Sequence, residues 1–523
     1  MTPIRRHASR TGHAREDDMK NFLVVGVGPH ARRTHLPALA AGQASGLVGT
    51  MCGVDLLGAT DVLVPYDADD GPRSLPVTLI EPFDSRLQAL PDRVRHALDT
   101  VVERRSIHAV VVSTEPAYHM VYTRWALERG LSVLLDKPLS VHADASTDPR
   151  QAGAILTDFD DIMECYRQTR HTFPQLMVTV QSQRRYHPAF WRIRECIAEV
   201  AAETSCPVTS IQSFHSDGQW RMPDEMIDLS YHGFDRGYGK AAHSGFHFFD
   251  IVPWLLAAGE TSGKELDAVA VHAHITRPGD LLAQMGVRDY ERLFPAFAAR
   301  NPYTEPELRS ATRLFGEVDA FISMAYQSRG RTMTLGSINL VHNGFSQRGS
   351  LTPAHASLYK GNGRVRHETH IIEQGPFQAI HLHSLQTLND GTPSADPHAP
   401  GNERHVEVHV FRNRTFRPDW VKYAGFDFGT LAATSESEVA LPTQESSRRR
   451  ATWEFLEYLD GRRTREGMSS ELTGHRRGAT LMAGAYLSMA QQWTGASPVA
   501  TLDFRAAPEP ASAPAQGQVE AVL

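Results

Sequence analysis

Short apolar runs alternate with helix-length amphipathic stretches between residues 21 and 181, and this alternation limits the fold more than any other feature of the chain. The runs fall at 21–26, 47–54, 107–114, 131–135 and 176–181, with helical stretches at 32–41, 92–105, about 119–128 and about 155–170. Unbroken apolar runs of this length suit strands covered on both faces. Strand–helix–strand order with short connections calls for parallel pairing and right-handed crossovers. In such an open α/β sheet, ligands bind beyond the carboxyl ends of the strands, so the residues that end each run are the ones to inspect.

The first run enters Gly26-Val27-Gly28-Pro29-His30-Ala31, a G-x-G-x-x-A turn between strand and helix. Gly26 permits the tight turn, Gly28 lets a pyrophosphate approach the backbone, and Ala31 allows close helix–strand packing. The second run ends at Asp55, either a plain turn residue or a carboxylate that accepts from a ribose 2′-OH and repels a 2′-phosphate. Arg32 and Arg33 could assist a 2′-phosphate, so NAD is favoured and NADP stays open. The third run ends in Thr114-Glu115-Pro116-Ala117-Tyr118-His119 and the fourth in Asp136-Lys137-Pro138.

Composition narrows the classes. The chain has 523 residues, 41% hydrophobic and 22% charged, with a net charge of −7. Two to four soluble domains are expected, and no basic field points to nucleic acid. No apolar run approaches the ~20 residues that span a bilayer, so no membrane partner is expected. Cys52, Cys165, Cys196 and Cys206 form no C-x-x-C pair and no zinc spacing, which predicts reduced thiols, a cytoplasmic location and no metal site. Residues 1–18 read as a polar disordered tail, with Arg5-Arg6 lacking a following signal-peptide core and Met19 an alternative start. Residues 503–523 read as an Ala/Pro-rich disordered tail.

The order of the glycine turn, T-E-P-A-Y-H and D-K-P resembles the Gfo/Idh/MocA oxidoreductases, whose first domain carries a glycine turn, T-P-x-x-x-H and E-K-P in that order. Gln183-Arg184-Arg185-Tyr186-His187-Pro188 is similar to the family segment that leaves the nucleotide-binding domain. His243 to Asp250 resembles the family helix D-x-G-x-H-x-x-D, with His247 at the proton-carrying histidine, Asp250 at the following aspartate, and His243 where aspartate is usual. Ala485-Tyr486-Leu487-Ser488 resembles the family's closing helix.

The resemblance implies a Rossmann-type parallel sheet at 19–186 and an α+β domain with a mostly antiparallel open sheet at 187–502. Strand-like runs at 206–216, 268–275, 320–327, 332–341, 357–360, 379–385 and 405–411 agree with that second sheet. It implies that Gly26, Gly28, Ala31, Asp55, Thr114, Glu115, Pro116, His119, Asp136 and Lys137 hold the dinucleotide. Lys137 would hydrogen-bond the reacting hydroxyl, Asp136 would orient Lys137, and His247 would be the base, with His243 beside it on one helix face. Read without the resemblance, His247 among Phe246, Phe248 and Phe249 is a core histidine. Arg185, Trp220, Tyr238 and His243 are the residues expected at the substrate, with 217–240 a loop or lid over it.

The implied activity is hydride transfer between nicotinamide and a carbinol carbon of a sugar, cyclitol or related polyol. A silent dinucleotide-binding sensor and a glycoside hydrolase using transient NAD redox chemistry are the alternatives. His381 and His383, like His405, Glu407 and His409, lie two apart and share a strand face. That spacing reads as a polar sheet face, solvated or paired with another subunit, ahead of a metal site or a pH-sensitive interface, and a homodimer or homotetramer through the C-terminal sheet is expected.

Overall fold

The computed structural model describes residues 19–59, 65–228, 233–347, 363–388, 396–433 and 441–505. Residues 1–18 and 506–523 of the expected tails, the strand expected at 357–360, and Tyr231 and His232 of the expected lid lie outside the described residues.

Six strands form the first sheet: β1 (Lys20–Val25), β2 (Val48–Leu56), β5 (Val77–Ile80), β6 (Ala109–Val112), β7 (Ser132–Leu135) and β8 (Val178–Val180). Their spatial order is β5-β2-β1-β6-β7-β8, and every pair is parallel. A hairpin of β3 (Tyr66–Ala68) and β4 (Gly71–Arg73) stands beside it. Val110, Val112, Val133 and Leu135 are fully buried, as expected for strands covered on both faces. The order reverses between β1 and β6, so the glycine turn after β1 and the loops after β6 and β7 open at one crevice.

The second sheet has nine strands in the order β16-β15-β14-β13-β9-β12-β11-β10-β17. These are β9 (Ser210–Ser216), β10 (Ala268–Thr276), β11 (Asp319–Ser328), β12 (Arg331–Val341), β13 (Arg364–Gln374), β14 (Gln378–Leu388), β15 (Glu407–Arg412), β16 (Tyr423–Phe426) and β17 (Val499–Asp503). All pairs are antiparallel except β9 with β12. The inner face meets helices Pro188–Thr204, Phe246–Leu256 and Arg476–Trp493. That face is apolar at one end, with Val269, Val271, Ile322 and Ile338, and polar at the other, with His215, Glu368, His370 and Ser384.

Three expectations change. The second domain is not one run of chain, because helix Gln444–Leu459 returns to the first sheet. Its Phe455 and Leu456 share a core with Phe22, Val24 and Leu39, and the Ser470 carbonyl accepts from the Val180 amide. The described ends of the 217–240 segment are packed into the domain rather than laid over it as a lid: Asp217, Gln219, Arg221, Glu225 and Lys240 are all buried. Four short helices between Pro278 and Ala311 cover it, packing Leu282, Tyr290, Phe297 and Leu308 around Met222. The expected tail overlaps β17 at one residue: β17 pairs with β10 up to Asp503, and 506–523 lie outside the described residues. None of the described helices is long and apolar enough to cross a membrane, and the four cysteines are unpaired.

Candidate active site

The glycine turn differs sharply between its two glycines. Gly26 has φ +85°, and a Cβ there would meet the Ser113 carbonyl oxygen at 2.6 Å. Only glycine serves at such a position. Gly28 has an ordinary φ of −69°, and a Cβ there would meet nothing within 4 Å. The open space above Gly28 is what a closely approaching phosphate requires. Asp55 reaches back to this turn. Its carboxylate accepts from the Val27 amide at 2.7 Å and from the Leu56 amide at 2.7 Å. A carboxylate has about four lone-pair sites, so two remain for hydroxyl donors. Ala31 is fully buried against the sheet, as a small residue there should be.

Asp136 and Lys137 are adjacent in sequence and diverge in space, because successive side chains at a strand end point to opposite sides. The Asp136 carboxylate accepts from Ser113 Oγ at 2.5 Å and bonds His35 Nε2 at 2.9 Å, with His30 Nε2 at 3.5 Å. Burial works against its charge, but the two imidazoles outweigh burial and hold it well below the usual carboxylate range. Asp136 therefore does not hydrogen-bond Lys137. Its side chain is committed to the glycine-turn side, where His30, His35 and Asp136 present ligand atoms within 4.8 Å of one another, near enough to hold a metal ion.

Lys137 is instead positioned from the second domain. Its Nζ donates to the His243 backbone carbonyl at 2.5 Å. Burial, with Arg448 next, pulls this ammonium down to about 7, while Asp136 and Asp217 oppose the fall. The His243 carbonyl is available because Ala241–Gly245 is a π-helical turn before the α-helix Phe246–Leu256. A π-turn changes the angular step, so the expected α-helical face shared by His243 and His247 does not extend through it. His243 meets Lys137 through its backbone.

His247 is buried, and its Nδ1 has no hydrogen-bond partner. Burial, then the nearby Lys137, Arg184 and Arg448 charges, holds this imidazole well below 6.5, so it is neutral at pH 7. Asp250, one turn on, lies against other partners. It takes a bidentate pair from Arg185 at 2.7 and 3.0 Å, and His475 at 2.8 Å.

That pair corrects the placement of Arg185. Expected at the substrate, it is buried and also donates to the Gly474 carbonyl at 2.7 Å, so it ties the last helix to the domain boundary. The neighbouring Arg184 faces the site: it pairs with Glu368 at 2.6 and 2.8 Å, and its guanidinium lies 4.4 Å from the Phe248 ring. Trp220 is also elsewhere, with its Nε1 3.3 Å from the Tyr290 hydroxyl and its ring against Phe294. Tyr238 is buried beside the Glu115–Arg236 ion pair, and burial raises its phenol to about 12. His119 lies under the crevice, with Nδ1 2.7 Å from the Pro138 carbonyl and Nε2 3.1 Å from the Thr114 carbonyl. It holds the loops after β6 and β7 together and is fully buried. Thr114 and Pro116 border the same loop, Pro116 opening a short 3₁₀ turn.

Sequence reasoning did not find Lys240, Arg366, Glu368 or Arg448. Lys240 is fully buried and pairs with Asp217, which also takes Arg364. Burial lowers Lys240 to about 8 despite Asp217. A cation inside a segment otherwise rich in aromatic and small residues was the available signal for Lys240.

A glycine turn open at Gly28, an acid at the end of β2 and a lysine at the end of β7, facing a second sheet domain, define a two-domain dinucleotide-type α/β protein. Residues 20–150 match the Gfo/Idh/MocA model, described as an oxidoreductase family with an NAD-binding Rossmann fold. The match covers the six-stranded parallel sheet up to the end of β7 and its D-K-P loop, and the strand order there is of Rossmann type. No curated protein matches the chain. Levoglucosan dehydrogenase, solved in complex with NADH and levoglucosan, has a similar fold at 13% identity, over 93% of this chain and 99% of that chain, with TM-score 0.52. GenD2 from gentamicin A biosynthesis, in complex with NAD, aligns at 14% identity over 96% of this chain and 100% of that one, with TM-score 0.49. An oxidoreductase from Sinorhizobium meliloti aligns at 11% identity over 92% and 99%, also with TM-score 0.49.

Proposed function

We propose that the protein is an NAD(P)-dependent oxidoreductase that moves a hydride between nicotinamide and a carbinol carbon of a sugar, cyclitol or related polyol. The observation that carries this reading is the convergence of Lys137 and a neutral, buried His247 at the crevice bordered by the glycine turn. Gly28 leaves room for the pyrophosphate, and Asp55 has lone pairs left for ribose hydroxyls, which favours NAD over NADP. The bound nicotinamide supplies the hydride acceptor. His247 takes the hydroxyl proton at the unpartnered Nδ1 as the C–H bond is broken, and returns it in the reverse direction. Lys137 donates to the reacting oxygen and stabilises the charge that grows there. The His243 carbonyl fixes the ammonium from behind, and the surrounding burial excludes water.

The outer face of the second sheet exposes Phe321, Leu335, Phe411 and Tyr423, with His381 and His409 opposite each other on the same face. This apolar and imidazole surface supports self-association through the sheet.

The test is an absorbance screen with NAD and NADP against polyols and sugars, with Lys137→Ala and His247→Ala alongside. Both variants should lose turnover by about 10²-fold or more and still bind cofactor. Wild-type rates in both would refute the assignment. Turnover without net NADH would favour the hydrolase, and cofactor binding with no turnover of any substrate would favour the sensor.

A further inference from the structure

A cleft open to solvent lies next to this site, between the polar end of β13 and β14, the Gln183–Phe190 stretch and residues 442–447. Its lining is mixed. Phe190, Leu382 and Val406 supply apolar surface, and Gln183, Arg184 and Arg366 supply polar groups. Arg184 is 95% buried as a side chain, at 5% exposure, and two of its nitrogens are taken by Glu368. Its third nitrogen, Nη1, is buried with no partner. The same holds for Gln183 Oε1. Buried polar atoms are rarely left unmatched in a native protein unless something fills the place.

Arg366 stands two residues before Glu368 on the same face of β13, opposite Gln386 of β14. Its hydrogen bond to the Gln386 side-chain oxygen is long, at 3.4 Å. Burial, with Arg364 and Arg448 next, lowers this guanidinium to about 9, far below the range in which arginine ordinarily titrates. The charge is held at a cost that an incoming anion would relieve. Among the described residues lining the cleft, two guanidiniums meet one carboxylate, and that carboxylate already serves Arg184.

We propose that this cleft is the subsite for a carboxylate carried by the substrate, which makes the substrate an acidic sugar or cyclitol rather than a neutral one. The carboxylate lies between Arg184 Nη1 and Arg366, a sugar hydroxyl donates to Gln183 Oε1, and the C–H face of the ring rests on Phe190, Leu382 and Val406. The planar guanidinium fork suits two carboxylate oxygens. Arg184 links this subsite to the chemistry, because its guanidinium lies over Phe248, the residue next to His247. The proposal rests on the dehydrogenase reading for what happens at the other end of the substrate.

The experiment is calorimetric titration of the full chain, with NAD present, using D-glucuronate, D-galacturonate and D-gluconate against D-glucose and D-galactose, with NADH formation followed in parallel. At least one acid should bind 30-fold or more tightly than the neutral sugars. Arg366→Gln should bring it down to their level, while Arg366→Lys should retain an intermediate affinity, which separates charge loss from misfolding. The proposal is overturned if no acid binds better than its neutral counterpart, or if Arg366→Gln binds the acid as the wild type does. Acid binding that Arg366→Gln abolishes, without NADH from any compound, leaves the subsite standing and removes the dehydrogenase reading. NADH from neutral sugars, with no acid bound more tightly than its neutral counterpart, does the reverse.

Discussion

Lys137 gives the site a pH dependence whose sign the structure fixes. Burial and the neighbouring Arg448 bring its ammonium to about 7, and His247 is neutral from well below 6.5 upward. If Lys137 must carry its proton to hold the reacting oxygen, the competent form has neutral His247 and charged Lys137. That form dominates between the two values and is lost above about 7. At pH 8 about a tenth of the lysine remains charged, so kcat/KM for alcohol oxidation should fall about tenfold for each unit above 7. The perturbation is Arg448→Gln. Removing the cation that most depresses Lys137 after burial raises the lysine's pKa, so the alkaline limb moves to higher pH and the variant keeps a larger fraction of its activity at pH 8. The assay is initial NADH formation from pH 5.5 to 9 at saturating NAD and low substrate. A rate that climbs through pH 7 to a plateau would refute the reasoning. It would mean that Lys137 acts unprotonated as the base, with His247 in the electrostatic role.

Further outcomes are expected for four variants. Gly26→Ala should destabilise the fold by more than about 1 kcal/mol, because its positive φ and the Ser113 carbonyl both oppose a Cβ, whereas Gly28→Ala should melt within about 0.5 kcal/mol of wild type. If Gly28 admits the pyrophosphate, that second variant should still bind NADH at least tenfold more weakly in a fluorescence titration, and unchanged affinity would remove Gly28 from the cofactor site. Arg185→Ala should cost about 3–5 kcal/mol in urea unfolding, since it leaves the buried Asp250 carboxylate without its bidentate partner, and a loss under 1 kcal/mol would show that the pair is not structural. Leu335→Glu on the outer sheet face, where the leucine is 61% exposed, should shift light-scattering mass toward the monomer, and an unchanged mass would place any self-association elsewhere.

The first sheet was legible because its strands follow the simplest rule available. Val110 to Val112, or Val133 to Leu135, are buried on both faces, so their sequence is apolar throughout and their order with the helices dictates parallel pairing. In the second sheet the runs at 206–216, 268–275, 320–327, 332–341, 379–385 and 405–411 correspond to β9, β10, β11, β12, β14 and β15, each of which keeps apolar residues on its inner face. β13 was missed for a physical reason: Arg364, Arg366, Glu368 and His370 occupy its inner face, so the period-two pattern is present but carries charge where hydrophobic residues would mark a core. The same inversion hid the site residues. A strand that buries charge toward a cleft reads in sequence as an exposed strand, and only its neighbours in space show otherwise.

The two errors of placement at the domain boundary have a related cause. Arg184 and Arg185 are equivalent in sequence, and their roles are divided by a short 3₁₀ turn, Gln183–Tyr186, that sends one to Glu368 in the second sheet and the other to Asp250 beside the last helix. Asp136 and Lys137 divide in the same way, one toward His35 and the glycine turn, the other toward His243. Each dipeptide thus connects the two domains by sending adjacent charges to different elements. A change in how the domains sit would move Lys137 relative to the His243 carbonyl and Arg184 relative to Glu368 together. A shift at the domain boundary would therefore reposition the proposed catalytic lysine and the proposed carboxylate subsite together, whereas side-chain changes such as Arg366→Lys act on one of them.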